Sequence, residues 1–531
     1  MIKSESDCSA ELLTAAQMRA VEQAAIAQGA TTGLDLMERA GAAVVAAALA
    51  ERPALSEGAH AALVLCGPGN NGGDGFVIAR LLAARGWSVA LHLLGDPARL
   101  PPDARANHES WARIGPVQPM AAVEAAPDGA PPALIVDAIF GIGIGRPLSA
   151  ELERHFDAIR GWQGGALTVA VDVPSGLCAD SGRLLGRPLA ADLTVSFHRA
   201  KPGHVLDRGP DVCGRLVMAD IGLSDTPVPG AARRVDARAA RGVAKAGGHK
   251  FTHGHALVVA GGLGRTGAAR LAARAALRVG AGLVTVAAPA EAMPECAAQL
   301  TAIMLRQVDA SGALADMLGD ARIKAICIGP GLAAGAGPQA RERDMVLTAL
   351  GMVDAAEGRG IVLDADALTL FSGQPALRDE LFARTRAAGA CVMTPHDGEF
   401  ARLFPDLAER LQDRPVAGPA YSRLDAVRAA AARAGCVVLL KGPDTVIAAP
   451  DGRAAVHAAL RERAAPWLAT AGAGDVLAGL ITGLIARGQG PHGAACSAAW
   501  LHVEAARAFG PGLIAEDLPE ALPDVLRGIG A

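Results

Sequence analysis

Residues 61–85 read AALVLCGPGNNGGDGFVIARLLAAR: a short apolar run, a nine-residue string carrying five glycines, then apolar residues at helical spacing. An apolar run bounded by glycine and followed by a helical period predicts a strand buried on both faces, a turn and a helix. Parallel sheets are built from that unit. The string 67–75 is expected to be a loop past the carboxyl end of the strand, with the helix starting near Phe76. Ligands bind at such places in open α/β sheets. The string contains GxGxxG, Gly67 to Gly72, a weak dinucleotide sign by itself. Asn70, Asn71 and Asp74 add polar groups to it.

The same alternation extends both ways. Residues 12–50 read as two helices, with Met18, Val21, Ala25 and Ile26 on one face of the first and Leu36, Met37 and Ala40 leading the second. Strands are predicted at 88–94, 133–137, 166–172 and 216–221. After a stretch rich in Ser, Pro, Thr and Gly at 223–230, a second series begins with strand 255–260, a glycine loop at 261–267 and helix 268–279. Further strands are predicted at 283–287, 325–328, 361–364, 390–393 and 436–440. A chain of 531 residues exceeds one typical core, and the boundary is placed between a domain 1–228 and a domain 229–531. The fold class expected is α/β in both.

Composition agrees. Half the residues are hydrophobic, only 3% are aromatic, and mean hydropathy is +0.28. The net charge of −4 is spread along the chain, so neither nucleic acid nor an anionic membrane is expected as partner. The nine cysteines are dispersed with no CxxC, as in a reduced cytosolic protein. The start is polar, without the apolar core of a signal peptide, and no apolar run is long enough to span a bilayer. A soluble, cytoplasmic protein is expected.

Two strand ends in the first half add carboxylates. Asp137 is followed by a second glycine loop, FGIGIGRP (140–147), and Asp172 leads into VPSG (173–176). Singly each aspartate reads as a loop cap; three loops on one sheet edge read as a crevice. The strings GPGNNGGDG, DAIFGIGIGRP and VDVPSG, with AQMR (16–19) and LMERAG (36–41), together resemble the NAD(P)H-hydrate epimerase domain over roughly residues 12–225. The resemblance implies a Rossmann-like parallel-sheet sandwich. Its substrate would be a nicotinamide cofactor hydrated at ring position six, whose R and S forms it interconverts. Asn70, Asn71, Gly72, Gly73 and Asp74, with Gly141, Ile142, Gly143, Ile144, Gly145, Arg146 and Pro147, would hold the dinucleotide. Asp172 would be the acid–base group. Asn71, Asp137 and Ser175 would give oxygen ligands to potassium. Lys201, in RAKPG, reaches this site or is a solvated lysine.

In the second half, TAGAGDVLAG (470–479) sets a glycine-rich turn at a helix start, with Asp475 at its mouth. Unpaired amides there suit a phosphoryl group, and the aspartate is placed to take a hydroxyl proton. The loop GGLGRTG (261–267) also contains GxGxxG, but the next strand lacks the acid a dinucleotide fingerprint requires, with none before Glu291. A glycine loop lining a substrate crevice is the better reading. The segments HK (249–250), GPG (329–331), LDADAL (363–368), TPHDGEF (394–400) and KG (441–442) resemble the nucleotide-dependent NAD(P)H-hydrate dehydratase, a ribokinase-like α/β domain, over roughly residues 230–525.

That family phosphorylates the hydrate's hydroxyl and then expels phosphate; members fused to the epimerase use ADP and release AMP. By the resemblance, Lys441, Gly442, Pro443, Asp444, Thr445 and Gly474 would bind nucleotide, with magnesium on its phosphates. Asp475 would take the proton. Ala268, Gly331 and His396 would line the substrate pocket with Asp475. Many relatives carry Thr or Ser where Ala473 stands. A homo-oligomer is expected.

Two rivals remain: a small-alcohol or vitamin kinase with a non-catalytic first module, and a dehydrogenase weakened by its incomplete fingerprint. His249, His253 and His255 could suggest zinc, but no cysteine or carboxylate completes a set. The charges of 402–423 read as solvated helix faces.

Overall fold

The computed structural model describes residues 10–123, 131–245, 247–332 and 339–530; the polar start read above lies outside these, apart from Ala10. The chain forms two units, Met1–Ala232 with Arg414–Ser422, and Arg233–Asp413 with Arg423–Ala531.

In the first unit the strands are β1 (Ala61–Cys66), β2 (Ser88–Leu93), β3 (Gln118–Pro119), β4 (Leu134–Ala138), β5 (Leu167–Val171), β6 (Leu193–Phe197) and β7 (Arg215–Ala219). They form a seven-stranded sheet in the order β3-β2-β1-β4-β5-β6-β7, every neighbour parallel. Winding reverses between β1 and β4, which opens a crevice at their carboxyl ends. The β1, β4 and β5 side chains are buried on both faces because helices cover both. Helices α1 (Ala15–Ala27) and α2 (Gly33–Glu51) each start at a threonine capping box, Thr14 with Gln17 and Thr32 with Asp35.

One expectation is corrected here. The string after β1 is not a loop up to Phe76, because helix α3 (Asn70–Ala83) begins inside it. Its glycines serve close packing within the first turns rather than irregular backbone. A Cβ on Gly72 would stand 2.0 Å from the Gly67 carbonyl oxygen, so only glycine lets the helix start so near the strand end.

The second unit's strands are β8 (Ala232–Arg234), β9 (His255–Val259), β10 (Leu283–Ala288), β11 (Met304–Gln307), β12 (Ile323–Ile328), β13 (Gly360–Leu363), β14 (Cys391–Met393), β15 (Val437–Leu440), β16 (Asp444–Ala448) and β17 (Ala454–Ala458). Their order is β8-β17-β16-β15-β14-β13-β12-β9-β10-β11, parallel from β15 to β11 and antiparallel across β15-β16-β17. Winding reverses between β9 and β12.

Helix α4 (Thr266–Arg278) follows β9, α5 (Asp397–Leu403) follows β14, and α6 (Arg423–Ala434) precedes β15. Helix α7 (Ala473–Ala486) carries the glycine-rich mouth and is buried along nearly its whole length. It lies directly on α4: a Cβ on Gly479 would come within 2.1 Å of the Ala272 carbonyl oxygen. Helix α8 (Pro491–Phe509) packs beside it. Among the described residues no helix is long and apolar enough to cross a membrane.

Candidate active sites

The first unit's polar residues gather at the carboxyl ends of β1, β4 and β5. Asp172 follows β5 and takes φ 68, a left-handed conformation rare for a residue with a side chain. Its Oδ1 accepts hydrogen bonds from the Lys201 ammonium at 2.7 Å and the Ser196 hydroxyl at 2.8 Å. Lys201 is fully buried and also donates to the Phe197 carbonyl at 3.2 Å, so the solvated-lysine alternative is set aside. The His204 ring accepts from the Lys201 amide at 3.0 Å and donates through Nε2 to the Asp172 carbonyl at 2.9 Å. Burial and then Lys201 push that imidazole down to about 4, so it is neutral at pH 7. Burial raises Asp172, but Lys201, Ser196 and His204 outweigh it and hold the carboxyl below its ordinary value. Asp172 is therefore an ionised, pre-oriented carboxylate.

Two further carboxyls face it. Asp74 is raised well above the ordinary range by burial, then by Asp172 and Glu22. Glu22, on α1, is raised by burial and by Asp172. An ionised carboxylate beside two whose carboxyls are shifted upward is a donor–acceptor arrangement for acid–base work. Composition and motif reading did not single out Glu22.

Beside this lies a cluster of oxygen atoms from Asn71, Asp137 and Ser175. Asp137, buried, accepts from the Ser175 amide at 2.8 Å and the Ser175 hydroxyl at 2.5 Å, and among the described residues no basic side chain bonds to it. A Cβ on Gly141 would lie 2.9 Å from Asn71 Oδ1 and 3.4 Å from Asp172 Oδ2, so the loop of Gly141 joins both groups. Asn71 Nδ2 is buried with no hydrogen-bond partner. Ile144 of the same loop is buried, whereas Gly143, Gly145, Arg146 and Pro147 form an exposed rim, as does Asn70.

In the second unit the loops after β9 and β12 meet at the reversal point. A Cβ on Gly261 would be 1.7 Å from the Gly331 carbonyl oxygen, and one on Gly331 would touch Ala268 Cβ at 3.6 Å. Ala268 and Gly331 are thus neighbours. Gly472, at φ 89, begins the turn into α7. Lys441, after β15, sets its ammonium 3.3 Å from the point where a Gly474 Cβ would be. It donates to Asp364 at 2.7 Å and stands 3.9 Å from Glu399. Glu399 accepts from the His396 amide at 2.9 Å, which ties His396 to the same cluster. Burial, then Asp364, push Asp475 up to about 7 against the opposing pull of Lys441. A carboxyl poised there can accept a proton at neutral pH.

Asp444 is buried and Thr445 Oγ1 donates to the Gly442 carbonyl at 2.7 Å, closing the β15–β16 turn; Pro443 is exposed. Arg423 corrects the reading of 402–423 as solvated. Its side chain is 15% exposed, donates to the Lys441 carbonyl at 2.7 Å, and pairs with Asp397 and Asp444. His255 is buried against Thr285 Oγ1 at 2.8 Å, while His249 accepts from the Phe251 amide at 3.2 Å.

Comparison with known proteins covers both units. A family described as NAD(P)H-hydrate dehydratase matches residues 256–524, and one described as YjeF-related protein N-terminus matches residues 33–203. The bifunctional NAD(P)H-hydrate repair enzyme Nnr of Moorella thermoacetica is 37% identical over 98% of this chain and 97% of its own length. Its counterpart in Salinibacter ruber is 34% identical over 97% and 96%. The NAD(P)H-hydrate epimerase of Rhodobacter capsulatus is 49% identical over 40% of this chain and 99% of its own length.

Proposed function

The chain belongs to the bifunctional NAD(P)H-hydrate repair enzymes, and on that premise we propose that it epimerises hydrated NADH or NADPH and dehydrates the S form back to the cofactor. The observation that carries the reading is that one chain holds two carboxylate clusters, each at the carboxyl ends of parallel strands in its own sheet. Residues 1–228 are read as the epimerase and 229–531 as the dehydratase.

In the epimerase, Asp172 takes the hydroxyl proton as the C–N bond of that ring carbon breaks, and the Asp74 carboxyl, which burial holds toward its protonated form, gives a proton to the departing nitrogen; reclosure on the other face reverses both transfers. The segments Asn70–Asp74 and Gly141–Pro147 hold the dinucleotide. A potassium ion fits the oxygen cluster of Asn71, Asp137 and Ser175: it offers one buried carboxylate with no basic partner among the described residues, and neutral oxygens otherwise. When bound, the ion supplies positive charge beside the substrate; Asp137 and Ser175 keep its place.

In the dehydratase, the amides of the Gly472–Asp475 turn and the Lys441 ammonium receive the phosphate being transferred, and Asp475 takes the proton from the hydrate's hydroxyl. The ring carbon then loses phosphate with the C–O electron pair, and a neighbouring ring proton leaves to restore the double bond. ADP is the donor favoured, with AMP as its product. Lys441 to Thr445 and Gly474 bind it, while Ala268, Gly331 and His396 line the substrate side. Magnesium is read as arriving on the nucleotide's phosphates. The cysteines described are all buried and free, in keeping with a reducing cytoplasm. The working form is read as a homo-oligomer.

The test is absorbance at the reduced-nicotinamide band with an R/S mixture of hydrated NADH, magnesium, and ADP or ATP. Full recovery with ADP is expected. Recovery of the S fraction alone would remove the epimerase, and none with either nucleotide would favour a vitamin kinase.

A further inference from the structure

Asp364 sits between Lys441 and the mouth of α7. It follows β13 with its side chain 2% exposed. Its Oδ1 accepts from Lys441 Nζ at 2.7 Å and from Thr394 Oγ1 at 2.8 Å. Asp364 Oδ2 lies 4.0 Å from the point where a Gly474 Cβ would be, next to the mouth of α7. The backbone around it is held tightly. Ala365 takes φ 47, and a Cβ on Gly329 would stand 1.8 Å from the Asp364 carbonyl oxygen. Such backbone persists only where the surroundings over-determine it, and it gathers at functional sites.

We propose that Asp364 is a positioning residue of the dehydratase: anchored by Thr394, it holds the Lys441 ammonium against the Gly472–Asp475 turn for the incoming phosphate and presents its own negative charge beside the Asp475 carboxyl. This rests on the dehydratase reading of the second unit. The two duties separate experimentally because one depends on charge and the other on geometry. The groups facing Asp475 are Asp364 and Asp366 after β13, Lys441 after β15, Glu399 on α5 and Cys327 on β12. Of the charged neighbours that raise Asp475, Asp364 is the strongest.

Asp364→Asn keeps the shape and removes the charge. The acid limb of the pH–rate profile moves down by about one unit or more, as expected for loss of a nearby like charge. The KM for ADP rises about tenfold or more as Lys441 loses its nearer ionic partner and keeps only Glu399. Thr394→Val leaves the charge and loosens the anchor, so KM rises while the acid limb stays. An Asp364→Asn limb at the wild-type pH, or an unchanged nucleotide KM in either variant, overturns the proposal. If Asp364→Asn does not fold, Thr394→Val alone decides through KM against limb position.

Absence of hydrate turnover by the wild-type chain would refute the dehydratase reading instead. In that event the Asp475 carboxyl is titrated by isotope-edited infrared spectroscopy, with Asp475→Asn as blank, in the wild type and Asp364→Asn. A downward shift sustains the inference and an unmoved titration ends it.

Discussion

Replacing Lys201 by Met would leave Asp172 as a buried carboxylate facing no ammonium. In the native protein the ammonium bonds to Asp172 at 2.7 Å, Ser196 at 2.8 Å and the Phe197 carbonyl at 3.2 Å, with its side chain 1% exposed. Removing one partner of so buried a pair costs about 3–5 kcal/mol, because the survivor keeps its desolvation without its compensation. At about 1.4 kcal/mol per tenfold, local opening becomes more frequent by two to four powers of ten, roughly.

Native-state hydrogen exchange on peptides covering β5 and β6 reads that change without requiring the two units to unfold together. Lys201→Met with Asp172→Asn should recover much of the loss, since no buried charge remains. The sign with pH is fixed. Asp172 lies below its ordinary value when folded, so the wild-type pair stabilises above that ordinary value and loses its contribution as pH falls through the lowered one. In Lys201→Met burial is opposed only by Ser196 and His204, so the carboxyl rises, and the penalty is largest at neutral pH and shrinks as acid protonates Asp172. A single-variant cost below about 1 kcal/mol, as for exposed pairs, would refute the argument.

Asp475→Asn should lower dehydration by about two to four powers of ten while R/S exchange persists, followed by chromatography of the epimers. Wild-type kcat/KM for dehydration should fall as pH drops through about 7, because Asp475 then carries the proton it must accept. Gly479→Val would drive a side chain into the Ala272 carbonyl, now 2.1 Å from its Cβ position, and cost about 1–3 kcal/mol or more. Fluorescence of Trp500, buried on α8, reports that melt. Asp137→Asn should remove both the epimerase rate and its preference for potassium over lithium, seen by comparing exchange rates in the two salts.

Much of the architecture is legible in the sequence because parallel strands buried on both faces are written as unbroken apolar runs. Ala61–Cys66 and the carboxyl ends at Asp137 and Asp172 can be read directly. Met304–Gln307 cannot, since an edge strand with Arg306 and Gln307 lacks that run, and the antiparallel pair Asp444–Ala448 and Ala454–Ala458 is masked by alanine and polar residues. The helical start at Asn70 is hidden because glycine runs ordinarily mark turns, and its close packing appears only in three dimensions. Lys201 is left between the site and solvent, and Arg423 is missed, for a different reason. A buried basic side chain is identified by its partners, Asp172 and Asp444, which lie 29 and 21 positions away, and local pattern carries no information about them.

The left-handed backbone at Asp172 bears on how mutational scans of this protein are to be interpreted. At φ 68 aspartate and asparagine are tolerated far better than alanine. An alanine scan would therefore merge two losses at this position, the carboxylate and the turn it occupies, and overstate the chemical one. Asparagine separates them, and glycine isolates the conformational part. The difference between the alanine and glycine variants then measures how much the fold spends to keep a side chain, rather than bare backbone, at the end of that strand.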